Sequence, residues 1–294
     1  MTARRLLVIV NPSARGGRGA RALARLRGDA GSRWVESRDA AHLRELVGGA
    51  QDGRFEAVAV AGGDGTVALA LAGLQGGQRV PLAILPTGSG NDFARDCGVP
   101  TAIAAAWATA LAGAVRTVDV AEAGPGGPRY GCVGSVGLDE LALRVLYASR
   151  WPRSRALNIY AALRGLAAYR PREVAVTWAG GEFRGPVMFV AVMNTRSYGG
   201  GFRVTPAARI DDGALDLCIV RAAGKLRLMR QLPRLLRGTH VDLPEMVMGR
   251  SPWVRVDGEP LTVCLDGELD LARTPIEFRC LPRALSLLVP EAAG

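Results

Sequence analysis

Apolar positions in the first part of the chain fall in short unbroken runs separated by segments of helical period. Leu6–Val10 is continuous and stops at Asn11-Pro12. Gly19 to Arg27 places apolar side chains on one helical face and arginines on the other. Arg33–Ser37 reads as a second strand and Ala41 to Gly49 as a helix. Ala57–Val60 is a buried strand ended by Gly62-Gly63, and Thr66 to Leu74 is helical. Leu82–Leu85 is the next strand, ended by Pro86, and Thr101 to Leu111 is a helix. Strand, glycine turn and helix in repetition are the pattern of a parallel sheet covered by helices.

Near Thr117–Asp119 the pattern changes. From there the chain shows short strands with turn punctuation: Val118–Ala121, Gly131–Val136, Val174–Trp178, Val187–Val192, Leu215–Val220, Trp253–Val256, Leu261–Leu265 and Ile276–Arg279. Two helical segments interrupt them, Glu140 to Gly165, with a break at Pro152, and Lys225 to Leu236. Many short strands predict a mostly antiparallel sandwich. Gly124-Pro125-Gly126-Gly127-Pro128 reads as a hairpin tip.

Composition sharpens this only slightly. The chain has 294 residues, enough for two domains, and 49% hydrophobic residues, enough for a sizeable core. Its net charge is +10, and Lys225 is the only lysine. An arginine-rich surface favours anionic partners: nucleic acid, acidic lipid or a phosphate-rich substrate. The five cysteines are scattered without a CxxC pair, which fits buried thiols in a reducing cytosol. The apolar run at Leu6–Val10 is too short for a signal peptide. Ala102 to Val115 falls short of the roughly 20 residues needed to span a bilayer. Any membrane contact is therefore expected to be peripheral.

The strongest local chemistry is Ala61-Gly62-Gly63-Asp64-Gly65-Thr66, directly after a buried strand and before a helix. Glycines let backbone approach phosphate oxygens, and a helix N-terminus offers free N–H groups and a favourable dipole. Asp64 adds a carboxylate that can hold Mg²⁺ through water. A plain strand-to-helix turn capped by Thr66 is the simpler alternative. Asn11 to Gly17 and Pro86 to Asp92 follow other strands of the same sheet, and ligands of parallel sheets sit beyond strand carboxyl ends. The GxxxxGK[ST] loop and the HRD and DFG signatures of protein kinases are missing. The two histidines, His42 and His240, suit surface or structural roles.

Asn11-Pro12-Ser13, Gly62 to Thr66 and Pro86-Thr87-Gly88-Ser89-Gly90-Asn91-Asp92-Phe93-Ala94 resemble the three nucleotide loops of the diacylglycerol kinase catalytic family. That family includes bacterial diacylglycerol and YegS-like lipid kinases, and sphingosine and ceramide kinases. The resemblance continues through Gly199-Gly200-Gly201, Pro206-Ala207, Asp211-Asp212-Gly213, Leu215-Asp216, Leu265-Asp266-Gly267-Glu268 and Leu281-Pro282-Arg283-Ala284-Leu285. It implies a Rossmann-like α/β nucleotide-binding domain over 1–118, rejoined by 281–294, and a mostly antiparallel β-sandwich lipid-substrate domain over 119–280.

The same resemblance implies site residues. ATP would be bound by Asn11, Pro12, Ser13, Ala14 and Arg15, by Ser37, by Gly62, Gly63, Asp64, Gly65, Thr66, Val67 and Ala68, and by Ser89, Asn91 and Asp92. Glu268 would be the general base for a lipid hydroxyl, with Asp266 beside it and Asp64 also catalytic. Asp212 would bind Mg²⁺ with the carbonyls of Arg209 and Ala214, a hard-oxygen set suited to that ion. Glu259, in Asp257-Gly258-Glu259, is the competing base. Two departures stand out. Gly134 precedes Ser135-Val136-Gly137-Leu138-Asp139 where the family often has asparagine, and Arg15 replaces a small residue.

These implications describe an ATP-dependent lipid kinase of phospholipid biosynthesis, cytoplasmic and peripheral to the inner membrane face, with no nucleic-acid partner. Oligomeric state is open, a homodimer included. An NAD kinase-like enzyme and a non-catalytic nucleotide-binding regulator are the alternatives. Arg144 to Arg172, rich in arginine with Tyr147, Trp151, Tyr160 and Tyr169, reads either as a lipid-facing rim or as a solvated face.

Overall fold

The computed structural model describes residues 4–12, 23–26, 31–152 and 154–291. The chain divides into two compact units, Met1–Asp119 with Arg283–Gly294, and Val120–Pro282. The fold is mixed α/β, with parallel strands in the N-terminal part and antiparallel strands in the C-terminal part.

In the first unit the strands are β1 (Leu6–Val10), β2 (Arg33–Glu36), β3 (Ala57–Gly62) and β4 (Leu82–Pro86). β3 sits between β1 and β4, β2 lies at the edge, and all these pairs are parallel. β1, β3 and β4 are buried along their whole length. Their unbroken apolar character follows, because a covered parallel sheet has no solvent face to alternate toward. Helix α1 (Ala40–Gly49) begins where the Asp39 side chain accepts from His42 N, 2.8 Å. α2 (Asp64–Gly73) packs against α1 through small residues: a Cβ on Gly73 would lie 2.7 Å from Arg44 O. α3 (Asp92–Asp96) and α4 (Ile103–Ala112) follow. Trp107 of α4 meets Trp34 of β2, ring centroids 5.3 Å apart.

β5 (Ala114–Ala123) and β15 (Ile276–Val289) carry the chain from one unit into the other. Leu287 of β15 pairs in parallel with Leu82 of β4. Gln78 fastens this return, donating to Ser286 O at 2.8 Å and accepting from Ser286 N at 2.6 Å. The buried Asp119 carboxylate accepts from Arg283 N, 2.7 Å.

The second unit contains β6 (Arg129–Tyr130), β7 (Val133–Gly137), β8 (Arg172–Trp178), β9 (Gly181–Met193), β10 (Leu215–Arg221), β11 (Met246–Ser251), β12 (Trp253–Gly258), β13 (Thr262–Leu265) and β14 (Glu268–Arg273). Their order is β14-β13-β7-β9-β8-β12-β15, with β10 pairing β9 and β11. The registers are antiparallel. Val136, Val190, Val192, Leu217, Ile219, Val256, Val263 and Phe278 meet in one core. Two helices follow β7: α5 (Leu138–Ala148) and α6 (Arg155–Ala168), while α7 (Lys225–Arg237) comes after β10. Ser154 caps α6 by accepting from Leu157 N, 3.2 Å. Gly165 permits close packing on α5, since a Cβ there would lie 3.0 Å from Ala142 N.

Some elements differ from the pattern reading. Within Gly19 to Arg27 the described residues are the buried Leu23 and a 3₁₀ turn at Ala24–Leu26, and the rest of that segment lies outside the described residues. β9 begins six residues before the apolar run at Val187, because its first half is a polar ribbon paired to β8. β11 and β14 were invisible in the pattern, since Gly249, Arg250, Glu268 and Asp270 break any apolar alternation. Pro152 does separate two helices.

Gly134, the position where the family often has asparagine, has a packing reason. A Cβ there would lie 2.5 Å from Phe278 Cε1 and 3.1 Å from Tyr130 Cζ. Both rings are fully buried and meet edge to face. Gly134→Ala should therefore destabilise the protein by about 1–3 kcal/mol, the usual range for overpacking. Thermal unfolding checks this; an unchanged melting temperature would mean that the Phe278 ring moves aside freely.

Candidate active site

The first unit brings three sequence-distant loops together at the carboxyl ends of adjacent strands. Register alone sets Val10 beside Ala61 and Gly62 beside Pro86. Asn11 N continues the ladder to Ala61 O at 3.1 Å, and Thr87 N to Gly62 O at 2.9 Å. Thr66 Oγ1 accepts from Asn11 Nδ2, 3.0 Å, tying the β1 and β3 loops. Asp64 Oδ1 accepts from Phe93 N, 3.1 Å, tying the β3 loop to α3.

The glycines of these loops do different jobs. A Cβ on Gly62 would fall 2.0 Å from Thr66 Oγ1. One on Gly88 would fall 2.4 Å from Gly63 Cα, so those two loops touch backbone to backbone. Gly65 is different: a Cβ there would meet nothing within 4 Å. Its glycine is required neither by packing nor by a positive φ, and it leaves bare backbone at the start of a ten-residue helix. An anion is the ligand such a position suits.

The other nucleotide-loop candidates divide. Ser89 is exposed and Ala68 half-buried, whereas the Val67 side chain is buried, so only its backbone is in play. Asn91, at φ 57°, accepts from Gly88 N and donates to Gly88 O, both at 3.0 Å. Asp92 is buried and ion-paired with Arg95, which also donates to Gly90 O. Asn91 and Asp92 thus shape their own loop. Ser37 is buried and its hydroxyl donates to Val10 O at 3.3 Å. Pro12 is exposed. Ser13, Ala14 and Arg15 lie outside the described residues.

In the second unit, Asp266 is a clamp. It sits at φ 47° in the β13–β14 turn, and its carboxylate accepts from three consecutive backbone N–H groups: Gly131 at 2.6 Å, Cys132 at 2.8 Å and Val133 at 2.9 Å. Its own N donates to Val133 O, 2.9 Å. Burial pushes this carboxyl up to about 6, against the pull of the three donors. With its oxygens so engaged, Asp266 acts through the turn it fixes. Two residues on, Glu268 is exposed. Glu259 is also exposed but lies at the end of β12 and pairs with Arg172 at 3.1 Å.

The expected Mg²⁺ ligand, Asp212, accepts from Ala214 N at 3.2 Å and is ion-paired with Arg250. Asp216 lies opposite Arg250 in the β10–β11 register, and its buried Oδ2 has no hydrogen-bond partner. Arg250 is ion-paired with Asp212 and acts on Asp216 only through its charge, so an unpartnered Asp216 oxygen remains. The unpartnered Asp216 oxygen could join a divalent cation's shell, but Asp212 would have to exchange its bond with Arg250 for the cation to be held by Asp212 and the carbonyls of Arg209 and Ala214. Among the described residues no three His, Cys, Asp or Glu side chains gather into a metal cluster, so carbonyls and water would complete the shell.

A network that motif reading passed over surrounds Asp139, in the first turn of α5. Ser135 Oγ donates to its Oδ2 at 2.6 Å and Tyr198 OH to its Oδ1 at 3.2 Å. The Gly137-Leu138-Asp139 step after a strand was its visible signal. Tyr198 comes from the loop of Gly199, Gly200 and Gly201, all at positive φ, and could not be linked to it from sequence.

The comparisons with known proteins agree with this architecture. The fold is that of a putative diacylglycerol kinase from Bacillus anthracis str. Sterne, with a TM-score of 0.81, 23% identity and full coverage of both chains. Residues 5–123 match the family described as "Diacylglycerol kinase catalytic domain", and 132–289 match the "YegS C-terminal NAD kinase beta sandwich-like domain". A "Diacylglycerol kinase" of Mycobacterium tuberculosis H37Rv is 33% identical over 258 residues, covering 86% of this chain and 83% of that one. A "Probable lipid kinase YegS-like" of Chromohalobacter salexigens is 33% identical over 249 residues, covering 81% and 77%. The chain belongs to the diacylglycerol kinase and YegS-like lipid kinase family.

Asp139 yields a pH prediction. Burial raises its carboxyl above the ordinary 3.8, against the two hydroxyl donors. The folded protein therefore binds that proton more tightly than the unfolded chain. The resulting cost is absent below the unfolded value and grows as pH rises through the folded one. Asp139→Asn removes the charge, so its melting temperature relative to wild type should rise from acidic to mildly alkaline pH. A difference independent of pH would show that the charge carries no cost.

Proposed function

We propose that this protein transfers the γ-phosphoryl group of ATP to a lipid hydroxyl, with diacylglycerol the first acceptor to test. The observation that carries the reading is the bare Gly65 backbone at the head of α2, framed by loops that lock one another in place. Phosphoryl transfer asks a protein for positioning and charge neutralisation more than for covalent work. Backbone N–H groups at the start of α2 would hold phosphate oxygens, and Asp64 would face the Mg²⁺ that accompanies the nucleotide.

Glu268 is the base in this reading. It takes the proton of the acceptor hydroxyl as the new oxygen–phosphorus bond forms and the bond from the γ-phosphorus to its bridging oxygen breaks, leaving ADP. An exposed carboxylate on a rigid turn suits that task, because it must reach a substrate proton within hydrogen-bond distance. Glu259 is paired to Arg172 and belongs to no such turn. The Mg²⁺ at Asp212 would be structural, neutralising Asp212 and Asp216 at the head of β10.

Membrane approach belongs to the same proposal. No described helix is long and apolar enough to cross a membrane. Between α5 and α6, Trp151 is 79% exposed and flanked by Arg150, and Tyr160 of α6 is 54% exposed. On α7, Arg230, Arg234 and Arg237 line one face with exposed Leu226. Basic side chains interleaved with exposed aromatic and leucine groups suit an anionic lipid surface.

One assay separates the functional readings: labelled ATP offered with a panel of lipids, with NAD, and with no acceptor. Label should enter lipid; transfer to NAD alone, or to nothing, would reject the proposal. Glu268→Gln should lower lipid phosphorylation by roughly 10² or more while ATP binding persists, and Glu259→Gln should leave turnover near wild type. The reverse result would move the base to Glu259. For the surface, co-sedimentation with vesicles should increase with anionic lipid and weaken with salt. Binding indifferent to both would remove the electrostatic part of the idea.

A further inference from the structure

The backbone around Glu268 is fixed, but its side chain is not. Asp266 makes four hydrogen bonds that pin the turn to residues 131–133. Glu268 itself is exposed, with three rotatable torsions and therefore substantial conformational freedom to lose. A base that must meet a substrate proton cannot profit from that freedom, since reactive geometry tolerates little displacement.

One side chain limits it. Tyr147, in the last turn of α5, places its hydroxyl 3.3 Å from Glu268 Oε2 and 2.8 Å from Gly267 O. The phenol has a single proton to donate, so these two oxygens compete for it. α5 is itself well anchored. Its first turn is held by the buried Asp139 with Ser135 and Tyr198, and Leu143, one turn before Tyr147, lies against Gly267. Tyr147 is thus a rigidly mounted donor beside a carboxylate that has no other hydrogen-bond partner among the described residues.

We infer that Tyr147 is a positioning residue for Glu268: its hydroxyl holds the carboxylate of the base in the orientation that accepts the acceptor proton. The inference rests on the lipid-kinase reading and on Glu268 as its base. Tyr147 touches neither reacting bond in this account. It shifts its proton between Gly267 O, which steadies the turn, and Glu268 Oε2, which orients the base.

The test is a double-mutant cycle on the full chain, with labelled ATP and diacylglycerol in mixed micelles. Tyr147→Phe removes one oxygen from a half-exposed ring, so the fold should survive, as melting temperature would report. Its kcat should fall roughly 3- to 12-fold, the rate equivalent of one typical net hydrogen bond, with KM for both substrates unchanged. Glu268→Asp draws the carboxylate back from Tyr147 by one methylene and lowers kcat on its own. In that background Tyr147→Phe should change kcat by less than about 2-fold, because the interaction it removes is already lost. An equal drop in both backgrounds would overturn the inference and leave Tyr147 a tether for Gly267 O only. So would wild-type kcat in Tyr147→Phe. If instead Glu268→Gln keeps wild-type turnover, the base assignment has failed, and the role of Tyr147 falls with it.

Discussion

Where the loops after β3 and β4 cross, Gly63 and Gly88 meet with no side chain between them. The packing of the β3 loop on the β4 loop depends on that approach. It lets Asp64 reach Phe93 N and brings the start of α2 beside the start of α3. It also leaves Asn91 to close its own loop through Gly88. Methyl groups at either glycine would force the two backbones apart, and the Asp64 bond with them. Gly65 then presents backbone to open space beside loops joined by hydrogen bonds, an arrangement that suits an anion.

The second unit solves a related problem with charge in place of small size. A single partly buried carboxylate, Asp266, gathers three successive N–H groups at the entry to β7 and fixes the turn before Glu268. Burial opposes its ionisation while the donors favour it, and the balance is what such a clamp must maintain. In the Asp-Gly-Glu motif the two acids therefore differ in kind. Asp266 is engaged by the turn it fixes, and Glu268, the next but one, is exposed. Asp212 and Asp92 repeat the lesson: each is held by an arginine, Asp212 by Arg250 of β11 and Asp92 by Arg95 one turn on in α3.

The parallel half was legible because β1, β3 and β4 are buried along their whole length, so unbroken apolar runs such as Leu6–Val10 and Ala57–Val60 mark them. β11 and β14 were not legible. Val247 of β11 and Ala272 of β14 pack against the core, and which residues of these strands do so depends on partners distant in sequence. The polar first half of β9 escaped for the same reason, since it is held by backbone pairing to β8. The absence of asparagine at Gly134 looked like a defect in the motif until Phe278 supplied the cause.

Alone, the sequence marked the candidates: the glycine turn at 62–65, the acids at 64, 266 and 268, and the strand–turn–helix order of the first unit. Those are local properties, written in spacing and residue type. Only the tertiary structure decided their employment. Asp266 became a clamp, Asn91 and Asp92 became loop fasteners, and Tyr147 came to stand beside Glu268, because each outcome depends on a partner brought in by pairing or packing from elsewhere in the chain. A hydrogen bond is settled within a few ångströms of space, and separation along the sequence does not report that distance.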